Sequence, residues 1–169
     1  MSSLAHSLCL SLAIVVSVLG CSPSPASHAS NAPSDRQVSF SLPSDDGNLV
    51  TVPLSNVTTV VDAWAPSCKP CREKLPALYA RKGDIEAHGG KLALVAVLAD
   101  AETTEDARAA LNSWGVKAPF LIDRGDVLRR EAGVNDLPAT LVIDSRQHVR
   151  WVAPLNASAS DVVAAANAH

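Results

Sequence analysis

The sequence predicts an α/β domain with a central mixed β-sheet flanked by helices, because strand-like and helix-like segments alternate along it. Two apolar, β-branched runs, residues 57–64 and 91–100, are typical of strands buried on both faces of a sheet. Between them, residues 72–88 carry apolar side chains at helical spacing and end at Gly89-Gly90. The C-terminal part predicts a pair of strands followed by a helix, which completes the alternation.

The remaining elements follow from local signals. Residues 37–57 contain two short strand-like runs on either side of Asp46-Gly47, a pair that favours a hairpin turn. Pro76 lies inside the helix predicted over residues 72–88, where a proline kinks the backbone. Thr103 precedes acidic residues in a typical helix start, so residues 103–122 predict a helix followed by a short strand.

Four elements complete the predicted domain. The sequence predicts a short helix over residues 126–132 and strands over residues 140–144 and 148–152. Ser158 and Asp161 have the spacing of a capping pair at the start of a C-terminal helix rich in Ala and Val.

The first 36 residues have the character of a leader and a tether. The apolar run of residues 8–19 is shorter than the roughly 20 residues that span a bilayer, and it is typical of the centre of a secretory signal. All 14 lysines and arginines lie at position 36 or later, so the run lacks the basic residues that normally open a signal. The Ser/Pro/Ala-rich stretch that follows indicates a flexible tether. We therefore expect a signal peptide over residues 1–20, a tether over 21–36 and one domain over 37–169.

Cys21 directly follows this apolar run, in Val18-Leu19-Gly20-Cys21. The stretch resembles the lipobox of bacterial lipoproteins, whose cysteine becomes the lipidated first residue of the mature protein. The resemblance implies an extracytoplasmic location on the periplasmic side, with a lipid anchor in the membrane at Cys21. The alternative is cleavage at another position, which leaves Cys21 as a free thiol or removes it.

Charge and ligand counts argue against two classes of function. The net charge is −3, and no stripe of basic and aromatic side chains marks a nucleic-acid partner. A structural zinc site needs four ligands, whereas the chain has a single Cys-x-x-Cys pair, and His88 and His148 stand alone. The sequence therefore predicts no metal site.

Cys68 and Cys71 form that Cys-x-x-Cys pair, between a predicted buried strand and the start of a predicted helix. Backbone N–H groups and the dipole at a helix start stabilise a thiolate, which is the reactive form of cysteine. We therefore expect Cys68 to be the exposed nucleophile and Cys71 to be the resolving thiol that releases the partner. Such a dithiol carries two electrons by itself, so no cofactor is expected beyond the redox-active disulfide.

Two segments resemble the thioredoxin superfamily. The first is Val61-Asp62-Ala63-Trp64-Ala65-x-x-Cys68-x-Pro70-Cys71, followed by Pro76, which resembles the active-site segment. The second is Gly133-Val134-x-x-Leu137-Pro138-Ala139-Thr140, which resembles the loop that carries the cis-proline of the superfamily. The resemblance covers about residue 37 to the C-terminus, and it implies a thioredoxin fold with an N-terminal hairpin and an inserted helix-strand element.

The resemblance also implies roles for residues around the cysteines. It assigns Trp64, Leu137 and Pro138 to substrate binding, with the backbone of Leu137 pairing with a substrate strand. It makes Lys69-Pro70 the active-site dipeptide on which the reduction potential depends. An ordinary loop proline before a strand is the alternative for Pro138, and the nearby cysteine pair favours the cis form.

The leader, the hairpin and the insert make the chain similar to the membrane-tethered TlpA/ResA-like branch of the superfamily. Proteins of that branch are extracytoplasmic thiol-disulfide oxidoreductases, several of which reduce apocytochrome cysteines before haem attachment. The similarity implies protein thiols or disulfides as substrates, a reductase role and a membrane electron donor. An oxidase or isomerase role stays open.

Two positions depart from that branch. Lys74 stands where the branch commonly has an acid, two places before the helix proline, and Asp62 stands where it often has Asn. Our hypothesis is that Asp62 is a buried carboxylate with a raised pKa that exchanges a proton with Cys71. The alternative is an aspartate that makes a structural hydrogen bond at the end of its strand.

Two rival functions use the same cysteines. Paired thiolates suit Cu(I), but thioredoxin-like copper chaperones space their cysteines by three residues and add a histidine, a pattern absent from this sequence. A peroxidase of the same superfamily would place Thr or Ser a few residues before a lone peroxidatic cysteine, whereas Ser67 directly precedes Cys68. The sequence therefore favours an oxidoreductase that acts on protein cysteines.

Overall fold

The computed structural model describes residues 36–168. An antiparallel hairpin, β1 (Phe40–Pro43) and β2 (Leu49–Val52), precedes a five-stranded sheet. The strands of that sheet are β3 (Thr59–Trp64), β4 (Lys91–Val97), β5 (Leu121–Asp123), β6 (Ala139–Ile143) and β7 (Val149–Val152), in the spatial order β5-β4-β3-β6-β7. Because β3 is parallel to β4 and antiparallel to β6, the predicted mixed sheet is confirmed.

The helices described within residues 36–168 are α1 (Lys69–Ala80), α2 (Lys82–Ala87), α3 (Thr104–Ser113) and α4 (Ala159–Asn167), with a π-helix at Leu128–Ala132. Both predicted helix caps are present. Thr103 and Asp106 exchange side chain to backbone hydrogen bonds at the start of α3, and Ser158 and Asp161 do the same at α4.

Strand β3 divides the core into two layers, because its side chains alternate between the two faces of the sheet and all of them are buried. On one face, Val61 packs in the same cluster as Phe40 and Val52 of the hairpin. On the other face, Trp64 packs with Leu75 of α1. By the same alternation, Asp62 points towards the helix layer, beneath the helix that begins at the cysteine pair.

The helical region after the cysteines differs from the prediction. Instead of one helix over residues 72–88, α1 begins earlier and a break at Arg81 separates it from α2. Pro76 lies inside α1, and the break comes further along the chain. The Arg81 side chain donates hydrogen bonds to Asp84 and, at 3.0 Å, to Ser160 of α4. The break thus coincides with a contact to a distant helix, which local periodicity does not encode.

The predicted signal peptide, the lipidation residue Cys21 and the tether up to residue 35 lie outside the described residues. Within residues 36–168, no helix combines the length and the apolar character that a membrane crossing requires.

Candidate active site

Cys68 and Cys71 lie at the start of α1 and form a disulfide bond. Cys68 is the N-cap residue, and its Sγ accepts a hydrogen bond of 3.2 Å from the backbone N–H of Cys71. Cys68 is partly exposed, whereas Cys71 has no exposed surface. The structure therefore agrees with the expected pairing of an accessible sulfur with an internal one, and the chemical roles of the two stay predictions.

The first turn of α1 carries positive charge and no acidic residue. Lys69 and Arg72 are both exposed there. Cations at a helix start oppose the helix dipole, but they stabilise a nearby thiolate. Pro70 lies in the same turn, where its missing N–H removes no intrahelical hydrogen bond. The sequence around the cysteines thus favours negative charge on Cys68 at a modest cost to the helix.

The Leu137–Pro138 peptide bond is cis, as predicted, and Pro138 directly precedes β6. A second cis bond, Val52–Pro53, was not predicted. In the antiparallel pairing of β6 with β3, Ala139 lies opposite Ala63. This register brings the proline loop to the end of β3 from which the cysteine loop departs. Contact between the backbone of Leu137 and a substrate strand stays a prediction.

Asp62 is a buried carboxylate, with 1% of its surface exposed. Its register partner on β6 is Thr140, whose hydroxyl donates a hydrogen bond of 2.6 Å to Asp62 Oδ1. Burial raises the pKa of Asp62 to about 6, while the Thr140 hydrogen bond and the positive charge of Lys74 oppose that rise. The predicted direction of the pKa shift is confirmed, and the proton exchange with Cys71 stays a prediction.

The sequence assigned no role to Thr140, and it marked Lys74 as a cation near the cysteines and as a departure from a family pattern, without a link to Asp62. In the structure the Thr140 hydroxyl contacts Asp62 directly, and the positive charge of Lys74 is the smallest of the influences on the Asp62 pKa. A signal for Thr140 was available, because a hydroxyl residue on the strand after the proline loop can pair with an aspartate on β3. Lys74 carried no comparable signal, since its distance from Asp62 depends on how α1 packs on the sheet.

The predicted role of Trp64 in substrate binding does not agree with its position. Trp64 is fully buried on the helix face of β3. Its ring packs edge to face against Trp114 and Phe120, with centroid distances of 5.4 Å and 5.8 Å. The same cluster contains Cys68 and Cys71. In this structure Trp64 therefore supports the cysteine loop from inside the core and does not present a surface to a substrate.

Residues 36–168 contain no group of three or more His, Cys, Asp and Glu side chains arranged to hold a metal ion. His88 Nδ1 lies 3.0 Å from the backbone carbonyl oxygen of Asp84, and His148 Nδ1 lies 3.7 Å from the Asp144 carboxylate. Each histidine thus has a local partner on its own segment.

Residues 33–152, well over half of the chain, match the AhpC/TSA family, and the chain belongs to that family. It is similar to the thioredoxin-like protein YneN of Bacillus subtilis (strain 168), with 32% identity over 89 residues, or 52% of this chain and 50% of that protein. Identity to the thiol-disulfide oxidoreductase ResA of Bacillus thuringiensis (strain Al Hakam) is 31% over 87 residues, or 48% and 45% of the two chains. The chain thus spans about half the length of the curated relatives it matches.

A solved structure supports the fold. The thiol:disulfide interchange protein, thioredoxin family protein, of Chlorobium tepidum TLS superposes with a TM-score of 0.64 and 21% identity, over 83% of this chain and 97% of that chain. The predicted thioredoxin fold and the predicted similarity to ResA-like proteins are therefore confirmed.

Proposed function

We propose that this chain is an extracytoplasmic thiol-disulfide oxidoreductase that reduces disulfide bonds in proteins through Cys68 and Cys71. The observation that carries the proposal is the asymmetry of the pair, with a partly exposed sulfur at the helix cap and a fully buried one behind it. An attacking sulfur must be accessible to its target, whereas a resolving sulfur can act from inside the protein. The names of the relatives YneN and ResA support the same class.

The first step forms a mixed disulfide. The Cys68 thiolate of the reduced protein attacks one sulfur of a substrate disulfide, and the second substrate sulfur leaves as a thiolate. The backbone N–H of Cys71 lies 3.2 Å from Cys68 Sγ in the disulfide form, and in the reduced protein it would stabilise the negative charge of the Cys68 thiolate. The cis-proline loop would hold the substrate main chain beside Cys68 by strand addition at Leu137.

The second step releases the substrate. Cys71 gives its proton to the Asp62 carboxylate and attacks Cys68 Sγ, so that the Cys68–Cys71 bond forms while the bond from Cys68 to the substrate breaks. The substrate leaves as its second thiolate, having gained two electrons, and the protein is left as a disulfide. A dithiol donor must then reduce it again, and we propose a membrane protein as that donor.

The proposed location follows from the leader. We propose that Cys21 is lipidated and that residues 21–36 tether the domain to the periplasmic side of a membrane. Apocytochrome cysteines before haem attachment are the substrates suggested by the similarity to the TlpA/ResA-like branch. This role would require the domain to act close to the membrane, which a short tether favours.

Trapping in cells tests the proposal. In Cys71→Ala the second step is blocked, so substrates should accumulate as mixed disulfides with Cys68 and can be identified by mass spectrometry. Cytochrome precursors among them would support the maturation role, and a broad set of exported proteins would support general disulfide reduction. The matched control, Cys68→Ala, keeps only the buried thiol and should trap at most a small fraction of these proteins. Absence of adducts in Cys71→Ala, together with peroxide consumption by the wild type, would favour the peroxidase alternative.

A further inference from the structure

A cleft of about 640 Å³ opens beside the cysteine pair. Pro70, which lies between the two cysteines, lines it together with Leu137 and Pro138 of the cis-peptide loop. The loop between β7 and α4 also lines the cleft, and there the apolar side chain of Leu155 is 77% exposed. A substrate strand that pairs with the backbone of Leu137 would therefore place its neighbouring side chains in this cleft.

Two charged residues of α1, Glu73 and Lys74, line the same cleft. Glu73 is exposed, whereas Lys74 is partly buried. Within residues 36–168 no ion pair includes Lys74, although Lys82 of the next helix pairs with Glu86 at 2.9 Å. Solvent and salt screen a partly buried charge less than an exposed one. An anion in the cleft would therefore gain more from Lys74 than it loses to Glu73.

We propose that Lys74 determines substrate specificity by forming an ion pair with an acidic side chain next to the target cysteine of the substrate. The inference rests on the proposed function and deepens it, because it names the class of protein segment that the cleft prefers. In the bound segment the main chain pairs with Leu137, the target disulfide faces Cys68, and the neighbouring carboxylate reaches Lys74. Lys74 takes no part in the disulfide exchange and acts only on binding of the segment.

Matched peptides test the inference. Each contains one cysteine, held in a mixed disulfide with 5-thio-2-nitrobenzoate, and they differ only in the residue next to that cysteine, which is Glu, Gln or Lys. One set carries this residue before the cysteine and a second set after it. The reduced Cys71→Ala variant of the chain is used, so that only the first exchange takes place. Cys68 forms a bond to the peptide sulfur, the disulfide of the probe breaks, and the coloured 5-thio-2-nitrobenzoate leaves with the electron pair.

The readout is the second-order rate constant for release of the coloured thiolate. Each value is divided by the rate constant of the same peptide with 2-mercaptoethanol, which removes differences in intrinsic reactivity. In at least one set we expect the Glu peptide to react about threefold faster than the Gln peptide, and the Lys peptide about threefold slower. The difference between the peptides should shrink in about 0.5 M salt, because the contact is electrostatic and partly exposed.

Four variants in the Cys71→Ala background locate the charge. Lys74→Gln should bring the ratio of the Glu and Lys peptides close to one, Lys74→Glu should invert it, and Lys74→Arg should keep it. Arg72→Gln is the matched control, because it removes one charge from an exposed position of α1 outside the cleft. This control should keep most of the preference. Any effect of Lys74 on the Cys68 thiolate is common to all peptides and cancels in the ratio.

The other outcomes overturn the inference. A ratio near one in both sets when Lys74 is present means that the cleft does not select charge. A ratio that Lys74→Gln leaves unchanged, or that Arg72→Gln lowers equally, means that Lys74 is not the cation that selects. If Cys71→Ala traps no protein in cells, the proposed function fails, whereas the peptide ratios still decide whether Lys74 selects acidic neighbours.

Discussion

The hydroxyl group of Thr140 donates a 2.6 Å hydrogen bond to the carboxylate of Asp62, and the two residues are direct partners on β6 and β3. The contact joins the strand that follows the cis-proline to the strand that leads to the cysteines. It stabilises the charged form of Asp62, yet burial outweighs it and raises the Asp62 pKa to about 6. The central strand β3 therefore carries a buried carboxyl group, that of Asp62, whose pKa of about 6 is close to physiological pH.

We predict that Asp62→Asn makes the folded protein more stable at pH 7. The pKa of Asp62 is about 6 in the folded state, against 3.8 for an unperturbed aspartate. Between these two values the folded state holds a proton that the unfolded state has lost, so the contribution of Asp62 to stability falls as the pH rises. Once the pH exceeds the folded-state pKa, the loss amounts to about 3 kcal/mol. Asparagine does not titrate and avoids this loss.

Urea unfolding of the oxidised proteins at pH 4 and pH 7 measures this effect. The advantage of Asp62→Asn in free energy of unfolding should grow by roughly 2 kcal/mol between the two pH values, because the unfolded-state carboxyl is already more than half ionised at pH 4. The control is Asp161→Asn. Hydrogen bonds from the backbone and hydroxyl of Ser158 lower the pKa of Asp161, so its contribution to stability rises with pH. The free energy of unfolding of Asp161→Asn relative to the wild type should therefore fall from pH 4 to pH 7. If the free energy of unfolding of Asp62→Asn differs from that of the wild type by the same amount at both pH values, the prediction is contradicted.

We predict that the two cysteines of the reduced protein differ in their rate of alkylation. Cys68 is partly exposed and Cys71 is fully buried, so iodoacetamide should modify Cys68 at least about tenfold faster. Short labelling followed by peptide mass spectrometry gives the two rates. Labelling in concentrated urea provides the control, because the difference should nearly vanish in the unfolded chain. Faster modification of Cys71 in the folded protein would reverse the assignment of nucleophile and resolving thiol.

We predict that Trp64 contributes to stability and not to substrate affinity. Trp64→Ala should cost about 3–5 kcal/mol in free energy of unfolding, because the ring fills the core against Trp114 and Phe120. Trp64→Phe should cost less, since Trp64 Nε1 has no hydrogen-bond partner within residues 36–168.

Reduction of insulin disulfides provides the matching activity measurement. Trp64→Phe should leave KM unchanged within about twofold, because the substituted ring stays inside the core. Leu137→Ala alters a side chain that lines the cleft and should raise KM. A larger increase in KM in Trp64→Phe than in Leu137→Ala would show that Trp64 takes part in substrate binding after all.

We predict that Asp123 is a structural carboxylate at the end of β5. It is buried and accepts hydrogen bonds from the backbone N–H groups of Gly125, Val127 and Leu128 at 3.1, 3.0 and 2.8 Å. Asp123→Ala leaves these donors without their partner, at an expected cost of about 2–4 kcal/mol in free energy of unfolding. Asp123→Asn retains one acceptor oxygen and should cost less. Equal stability of both variants and the wild type in urea would show that water replaces the carboxylate.

The sequence predicted those features of the fold and the site that depend only on residues close together in the chain. The capping pairs at α3 and α4 appear as expected, and Cys68 caps the helix that follows the buried strand. The substrate-binding role that the resemblance implied for Trp64 does not agree with its burial on the helix face of β3, where strand alternation places its side chain. The break at Arg81 was not predicted, and it coincides with a hydrogen bond from the Arg81 side chain to Ser160 on another helix.

By itself, the sequence determined the order of strands and helices, the cysteine pair at a helix start and the proline loop, since these depend on residues within a few positions of one another. Only the tertiary structure decided the environment of Asp62. The register of β3 and β6 sets Thr140 against its carboxylate, and the packing of α1 brings in the charge of Lys74. The pKa of a buried group depends on solvent exclusion and nearby charge in space, and residues far apart in the chain supply both.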